Sequence, residues 1–338
     1  MTKRRLIALA IGVAIAAATF IFVLPRIANY GDVWHVVQRL TWWQIAILLV
    51  ATAINLATYA LPWIVALPGL GFRRAFALTQ ASTATTYIAP GGATVGVAFS
   101  YAILRGWGFP AGAVSVAEAV TSIWNQFALL GFPVLALVLL GLLHESDPVL
   151  RVAAAVGLVL LLAAAGAFAA ALSTPKVARA VGGLVTRAAN WALRHLRRKP
   201  ARFTPDSFVR FRDRAVGLLS RRWHMLTLAT LAGQLSVFVL FLISLRVTHV
   251  SAAQVNGVEA FGAWSLARLV GSVPITPGGI GVVEVGLTTA LVGFGGDDAR
   301  VVAAVLLYRF LTIVPTLVVG LIAAATRGRL TPDLAKPV

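Results

Sequence analysis

Apolar runs of 18 or more residues recur along this chain. An α-helix needs that length to cross about 30 Å of hydrocarbon, so these runs limit the fold more than any other feature. Only 12% of the residues are charged, against about 25% in soluble domains. We therefore expect an all-α integral membrane protein and not a soluble enzyme. The six full transmembrane helices predicted are residues 6–24, 43–64, 110–143, 152–172, 223–245 and 299–326.

The N-terminus has basic residues, Lys3-Arg4-Arg5, followed by the apolar run 6–24. A signal peptide would have a shorter apolar core and small residues at its cleavage site, where this chain has Pro25-Arg26. We expect an uncleaved first span.

Two further apolar stretches, residues 76–104 and 258–293, are interrupted in the middle. The first contains Pro90-Gly91-Gly92 and the second contains Pro277-Gly278-Gly279. Proline removes a backbone donor and clashes with the preceding turn, and paired glycines favour non-helical backbone. Each stretch is therefore predicted to be two half-helices joined by an irregular tip.

The two interrupted stretches also match one another. A shift of 187 residues superimposes the two Pro-Gly-Gly sequences and gives ten identities over residues 88–117. It also aligns the Leu-x-Gly-aromatic-Gly motifs at 104–108 and 291–295. We interpret this pattern as an internal repeat, with repeat one at about 43–143 and repeat two at about 223–326.

Positive charge is concentrated between the repeats. Residues 173–222 hold 13 Lys or Arg against Asp206 and Asp213, so +11 of the net charge of +18 lies there. A strongly basic segment beside apolar spans is typical of a cytoplasmic linker next to anionic lipid, and we expect no nucleic-acid partner. Residues 176–198 have apolar side chains at helical spacing, which fits an amphipathic interfacial helix. A plain linker is the alternative, because the glycines at 182–183 weaken a helix.

The positive-inside rule decides how the two hairpins lie in the membrane. If each interrupted stretch dips in and returns on the same side, every basic cluster lies in the cytoplasm together with both termini. If both stretches cross fully, the basic linker faces outward unless residues 110–143 cross twice. We favour two re-entrant hairpins of opposite orientation, an inverted repeat within one polytopic domain of residues 1–338. Such a plan is typical of transporters.

Irregular backbone at membrane depth persists only where protein or water satisfies its polar groups. The tips therefore predict a buried polar cavity, in which half-helix N-termini would offer unpaired N–H groups to an anion. The alternative is that the glycines only permit close helix packing. The tip residues expected to bind substrate are Pro90, Gly91, Gly92, Thr276, Pro277, Gly278 and Gly279.

Ionisable residues within apolar segments are costly unless they are paired or hydrated. Arg268 precedes the second tip and Glu284 follows it, while Glu118 and Arg309 occupy nearly equivalent places in the two repeats. We expect the two arginines to bind a phosphate, with Glu284 and Glu118 orienting them or accepting a coupling proton. Buried structural ion pairs are the alternative, and we interpret Glu259 as an interfacial residue.

Polar side chains and composition complete the site hypothesis. The chain has no Cys and only five His, scattered, so we expect no metal and no cofactor. No nucleophile elbow, P-loop or dinucleotide fingerprint is present, so no enzymatic function is expected. The further cavity candidates, each of which also fits a simple helix–helix hydrogen bond, are Asn125, Gln126, Thr121, Ser122, Ser100 and Tyr101.

Two motifs resemble a known family. The residues that carry the resemblance are Pro90-Gly91-Gly92, Gly96, Leu104-Arg105-Gly106-Trp107-Gly108, Ala267-Arg268-Leu269, residues 274–284 and Leu307-Tyr308-Arg309. They resemble the lysylphosphatidylglycerol synthase transmembrane family, which includes the flippase-like membrane region of MprF and stand-alone YbhN-type proteins. The resemblance covers most of the chain and implies lipid translocation. It also implies that Arg268, Glu284 and Arg309 line the cavity.

Our leading hypothesis from the sequence is a flippase-like transporter of an anionic phospholipid or a polyprenyl-phosphate-linked lipid in the bacterial cytoplasmic membrane. The alternatives are a secondary transporter of a small anionic solute and a non-transporting scaffold for a lipid or cell-wall enzyme. Because the chain ends about a dozen residues after its last span, we expect no lipid synthesis. The expected partners are membrane lipids with anionic headgroups; a homo-oligomer and a separate lipid-synthesis enzyme stay open.

Overall fold

A computed structural model describes residues 30–88, 92–143, 148–195, 205–273 and 276–326. These residues are 87% helical and include no strand, which confirms the predicted all-α class. A 3₁₀ turn at Pro277–Gly279 accompanies the α-helices. The α-helices are α1 (Tyr30–Gln38), α2 (Trp42–Thr58), α3 (Leu61–Ala66), α4 (Phe72–Ile88), α5 (Gly92–Gly106), α6 (Ala111–Leu143), α7 (Pro148–Ser173), α8 (Pro175–His195), α9 (Pro205–Val247), α10 (Gly257–Gly271), α11 (Val282–Gly293) and α12 (Asp298–Thr326).

Five segments within the described ranges are long and apolar enough to cross a membrane, which makes the chain a multi-pass membrane protein. They agree with five of the six predicted spans. The sixth predicted span, residues 6–24, lies outside the described residues, as do both termini. The five segments are Trp42–Ala66, Ala111–Leu142, Val152–Ser173, Ser207–Val247 and Asp298–Ala324.

The first interrupted stretch forms a helical hairpin, as its Pro-Gly-Gly sequence predicts. Helix α4 ends at Ile88 and α5 begins at Gly92. A Cβ placed on Gly96 of α5 would lie 2.3 Å from the Thr86 hydroxyl and 3.1 Å from the Ser82 carbonyl oxygen, both on α4. The chain therefore turns back on itself, and Gly96 lets the two arms touch. We call α4 and α5 the first hairpin; its tip, residues 89–91, lies outside the described residues.

The second interrupted stretch forms the second hairpin, α10 and α11. Gly271 of α10 lies against Val283 of α11, and Ala267 lies against Gly286, so the arms run antiparallel. The intervening backbone, the second tip, includes the 3₁₀ turn. Gly278, Gly279 and Gly281 have φ of 64°, 67° and 90°, a region that residues with a Cβ rarely occupy. The predicted break in the helix is confirmed.

Helix α9 connects the open ends of the two hairpins. Arg222 of α9 donates to the carbonyl of Val65, just before the first hairpin begins, over 3.4 Å. Arg246 donates to the carbonyl of Val255, just before the second hairpin begins, over 2.9 Å. These arginines are 24 residues apart, which is about 36 Å along an α-helix. The open ends of the hairpins therefore lie about 36 Å apart along α9, one near its middle and the other near its C-terminal end.

The basic segment 173–222 is helical over residues 175–195 and 205–222. It forms α8 and the first part of α9, which begins at Pro205, well before the predicted span start at 223. The glycines at 182–183 do not break α8. A Cβ on Gly182 would lie 2.4 Å from the ring of Phe208, so this glycine lets α8 pack closely on α9. The prediction of a helix over residues 176–198 is thus confirmed for residues 176–195.

Two buried apolar clusters match the two hairpins. One surrounds the second hairpin and includes Trp264, Leu287 and Tyr308. The other surrounds the first hairpin and includes Leu78 and Leu104. Helix α9 contributes Phe241 to the cluster around the second hairpin and Leu226 to the cluster around the first hairpin. It therefore packs against both halves of the molecule.

Helix α12 crosses α4 at a glycine, and this crossing supplies a test of the fold. A Cβ on Gly320 would lie 2.4 Å from the carbonyl oxygen of Gln80 and 2.6 Å from the Cβ of Ala84. We expect Gly320→Ala to destabilise the protein by about 1–3 kcal/mol, because backbone has to shift. Thermal unfolding in detergent measures this loss. Gly166→Ala is the control, since nothing lies within 4 Å of its Cβ position; equal stability of the two variants would contradict the crossing.

Candidate functional site

A polar cavity of about 260 Å³ lies between α3, α4, α5, α6 and α9. Its lining within the described residues contains no Lys or Arg, and its one acidic side chain is Glu118. Eight Ser and Thr side chains line the wall, so the cavity is not a gap in an apolar core. These residues are Thr79, Ser82, Thr83, Thr86, Ser100, Thr121, Ser122 and Thr230.

Several of these hydroxyl groups donate a hydrogen bond to a backbone carbonyl of their own helix. Thr79 donates to the carbonyl of Ala75 over 2.8 Å, and Thr121 donates to the carbonyl of Ala117 over 2.8 Å. A hydroxyl whose proton is bonded to its own helix presents only oxygen lone pairs to the cavity. The wall is therefore rich in hydrogen-bond acceptors, which suits a ligand carrying hydroxyl or amine donors.

Glu118 is the buried acid of the cavity, with 8% of its surface exposed. Ser100, on the second arm of the first hairpin, donates a hydrogen bond to its carboxylate. No ion pair involves Glu118 in the part of the chain that the structure describes. A buried carboxyl without a cationic partner can hold a proton or bind a cationic ligand group.

The deeper wall of the cavity contains an amide pair. Gln234 of α9 donates to the side-chain oxygen of Asn125 on α6, and the buried Thr230 hydroxyl has no hydrogen-bond partner among the described residues. Val97, Ser122 and Asn125 line the cavity and are also exposed on the surface of the molecule. The cavity therefore opens sideways between α5 and α6.

The second tip is organised around a buried ion pair. Arg309 Nε donates to Glu284 Oε1 over 2.7 Å, and the same guanidinium donates to the carbonyl of Gly278 over 3.0 Å. The other carboxylate oxygen of Glu284 accepts from the backbone N–H of Gly281 over 2.7 Å. Glu284 thus accepts from the backbone N–H of the residue before α11 and binds Arg309 with its other oxygen.

The two hairpins meet at Tyr87, close to the first tip. A Cβ on Gly278 would lie 2.2 Å from the Tyr87 ring, so only glycine fits beneath it. Thr86, the residue before Tyr87, lines the cavity. Tyr87 therefore stands between the cavity on one side and the Arg309–Glu284 pair on the other.

Arg268 differs from Arg309 in having no carboxylate partner among the described residues. Its guanidinium lies over the Trp264 ring, 4.9 Å from the ring centre, a favourable cation–π distance. Its Nη1 atom is buried and makes no hydrogen bond within the described part of the chain. The Thr276 hydroxyl of the second tip is buried and unpaired in the same way. Arg268 is a cation with unused donor capacity.

The structure separates the predicted site residues into two groups. Glu118 and Asn125 line the cavity with Ser100, Thr121 and Ser122, whereas Gln126 and Tyr101 do not. The second group, at or beside the second tip, consists of Arg268, Thr276, Pro277, Gly278, Gly279, Glu284 and Arg309.

The remaining predicted residues lie elsewhere. Gly92 begins α5 with φ of 23°, and a Cβ there would lie 3.0 Å from the Thr86 carbonyl oxygen. Pro90 and Gly91 lie outside the described residues. Glu259 accepts from the backbone N–H of Asn256 in a capping box at the start of α10. Its role is therefore helix capping at the open end of the second hairpin.

Sequence reasoning missed three residues that shape the site. Gln234 lies within an apolar span, and a lone amide in such a span signals a buried hydrogen bond. Tyr59 and Tyr87 lie in segments predicted to be membrane-embedded, but the sequence does not show what they contact. In the structure Tyr59 lines the cavity and the Tyr87 ring lies against Gly278.

The comparison with known families agrees with this architecture. The family described as the lysylphosphatidylglycerol synthase TM region matches residues 7–320. The chain belongs to this family. The matched range includes both hairpins and every residue that lines the cavity. A search of curated proteins found no significant match.

The ion pair at the second tip supplies a prediction on stability. Glu284→Gln leaves the Arg309 charge buried and unpaired, and we expect it to cost about 3–5 kcal/mol. Thermal unfolding in detergent measures the loss, and the double variant Glu284→Gln/Arg309→Met should recover part of it. Asp297→Asn is the matched control, because its pair with Arg300 is about half exposed at 4.0 Å, a kind worth at most about 1 kcal/mol. A Glu284→Gln variant as stable as the control would contradict a structural role.

Proposed function

We propose that this family member is a flippase-like transporter, which moves an anionic phospholipid or a polyprenyl-phosphate-linked lipid between leaflets of the bacterial cytoplasmic membrane. The observation that carries the proposal is the polar cavity that opens sideways within the apolar spans. A headgroup enters such a cavity while the acyl chains stay in the bilayer. A carrier of a small soluble solute would instead need a cavity sealed from lipid.

The depth of the opening supports this proposal. Ser122 lies 11 residues after the start of α6, about 16 Å along the helix, and Asn125 lies about 21 Å along it. The hydrocarbon core is about 30 Å thick, so the opening faces lipid near the middle of the bilayer. Polar residues exposed at that depth are costly unless they serve a polar ligand or water.

We further propose that the two hairpins are re-entrant and enter from opposite faces, which makes the fold an inverted repeat. Their open ends lie about 36 Å apart along α9, and they meet at the contact of Tyr87 with Gly278. This arrangement leaves Arg214 and Arg222 on the cytoplasmic side, as the positive-inside rule favours. Rocking of the two halves about the Tyr87 contact alternates access to the cavity.

The chemistry of the two groups of residues suggests a division of roles. The acceptor-rich wall around Glu118 binds the hydroxyl or amine donors of the headgroup. Arg268, which has no carboxylate partner among the described residues, binds the phosphate when Tyr87 moves. Arg309 stays paired with Glu284 and holds the second tip in shape.

A variant that fills the cavity tests the lipid path. We expect Ser122→Trp to lower transfer of a labelled phosphatidylglycerol between leaflets of reconstituted vesicles at least about tenfold, because the indole occupies the opening of a cavity of about 260 Å³. Leu130→Trp is the control, since Leu130 is 38% exposed on the same helix and does not line the cavity. Equal transfer in both variants would sink the proposed path.

A second prediction concerns the unpaired cation. We expect Arg268→Gln to lower transfer about tenfold, the loss typical of one charge-assisted hydrogen bond, with unfolding temperature nearly unchanged. Arg300→Gln, at the open end of the second hairpin, is the charge-matched control. If the Arg268→Gln variant transfers lipid at the wild-type rate, Arg268 does not bind the phosphate. Absence of transfer in the wild-type protein would favour the scaffold alternative.

A further inference from the structure

A second pocket, of about 340 Å³, lies at the basic end of the molecule. Three arginines of α9 line it, Arg214, Arg221 and Arg222. Arg221 and Arg222 follow Arg214 by seven and eight residues, about two helical turns, so the three side chains leave one broad side of α9. We call this feature the arginine pocket.

Among the residues that the structure describes, no acidic side chain neutralises the positive charge of the arginine pocket. No Asp or Glu lines it in the described part of the chain. Arg214 and Arg221 form no ion pair or hydrogen bond there. The nearest acid in the sequence, Asp213, is bound to Arg212 over 2.8 Å. Two guanidinium groups therefore have their full donor capacity available to an anion.

The other walls of the arginine pocket are apolar. Leu67, Pro68, Val116 and Leu218 surround the guanidinium groups. A free, fully hydrated phosphate gains nothing from such walls, whereas a phosphate attached to a glycerol backbone and acyl chains buries apolar surface against them. The combination of cations and apolar walls fits an amphiphile.

Helix α6 is shaped to receive one of the arginines. Arg214 lies over Gly112, and a Cβ on Gly112 would fall 1.3 Å from its Nη1 atom. Any other residue at this position displaces the guanidinium. The displacement costs little, because the end of an arginine side chain is flexible. Gly112 thus sets the position of a charge without contributing one.

The arginine pocket and the polar cavity lie at successive positions along one short helix. Pro62 and Trp63 of α3 line the cavity, and Ala66, at the end of α3, lines the arginine pocket. A lipid phosphate held by Arg221 therefore lies next to the helix that closes the cavity.

We infer that the arginine pocket binds the phosphate of an anionic lipid from the cytoplasmic leaflet. Arg214 and Arg221 donate to the phosphate oxygens, Arg222 keeps its bond to Val65 and adds charge, and the apolar walls receive the glycerol region. Its further role, holding lipid beside the cavity before transfer, rests on the proposed function.

Lipid binding can be measured without transport. Purified protein in phosphatidylcholine micelles is titrated with phosphatidylglycerol, and bound lipid is counted by native mass spectrometry. We expect Arg221→Gln to weaken binding about tenfold, as for one lost charge-assisted hydrogen bond. Gly112→Ala should weaken it as well, although it removes no charge. Inorganic phosphate at equal concentration should not displace the lipid.

The matched control is Arg73→Gln, an exposed arginine at the start of the first hairpin that does not line the pocket. Equal weakening by Arg73→Gln and Arg221→Gln would overturn the site, because it indicates diffuse attraction to the basic end. Unchanged binding in Arg221→Gln and Gly112→Ala would also overturn it. Displacement by inorganic phosphate would replace the lipid assignment with a soluble anion. Normal binding by a protein that transfers no lipid would refute the proposed transport and leave this site intact.

Discussion

The ion pair between Arg309 and Glu284 is the interaction on which the second hairpin depends. Backbone that leaves the helical path in an apolar span exposes polar groups that lipid cannot satisfy. Here the Gly278 carbonyl is satisfied by Arg309 and the Gly281 N–H by Glu284. Because the two side chains also bind each other, neither brings an uncompensated charge into the apolar core. The glycines permit the backbone angles of the turn, and the ion pair satisfies the polar groups that the turn would otherwise leave unbonded.

The corresponding contact in the first hairpin is a hydrogen bond from a hydroxyl group and not an ion pair. Under the 187-residue alignment, Glu118 lies one helical turn from the place of Arg309, and Ser100 lies about one turn from that of Glu284. In each half, a polar residue on the second arm bonds to the helix that follows the hairpin. In the second half the bond joins opposite charges, whereas in the first it joins a hydroxyl to a carboxyl beside a cavity. We therefore expect the second hairpin to act as the rigid partner and the first as the one that moves.

The sequence was most informative where local chemistry decides the structure. Pro-Gly-Gly cannot continue a helix, so both breaks were predictable, and span lengths followed from hydrocarbon thickness. Partner choice was not predictable from the pattern. Glu284 forms its ion pair with Arg309 and not with Arg268, because the folded tip brings Glu284 beside α12. The length of α9 was underestimated, since hydropathy marks where a helix leaves the lipid and not where it ends. Gly182 was expected to weaken α8, but packing against Phe208 outweighs its low helix propensity.

The distribution of charge around α3 explains how an anionic lipid can use a cavity that contains no cation in its described wall. An acidic, acceptor-rich wall repels a phosphate and favours hydroxyl or amine groups, so the phosphate of the proposed lipid needs cations outside this wall. We propose the arginine pocket for the phosphate before transfer and Arg268 for the phosphate during transfer. The arginine pocket at the C-terminal end of α3 supplies cations, and the cavity beside the first turn of α3 supplies acceptors. A headgroup whose donors extend past its phosphate is able to reach from one to the other around a six-residue helix. A lipid with a bare phosphate lacks those donors, so we expect the proposed transporter to favour headgroups that carry hydroxyl or amine groups beyond their phosphate.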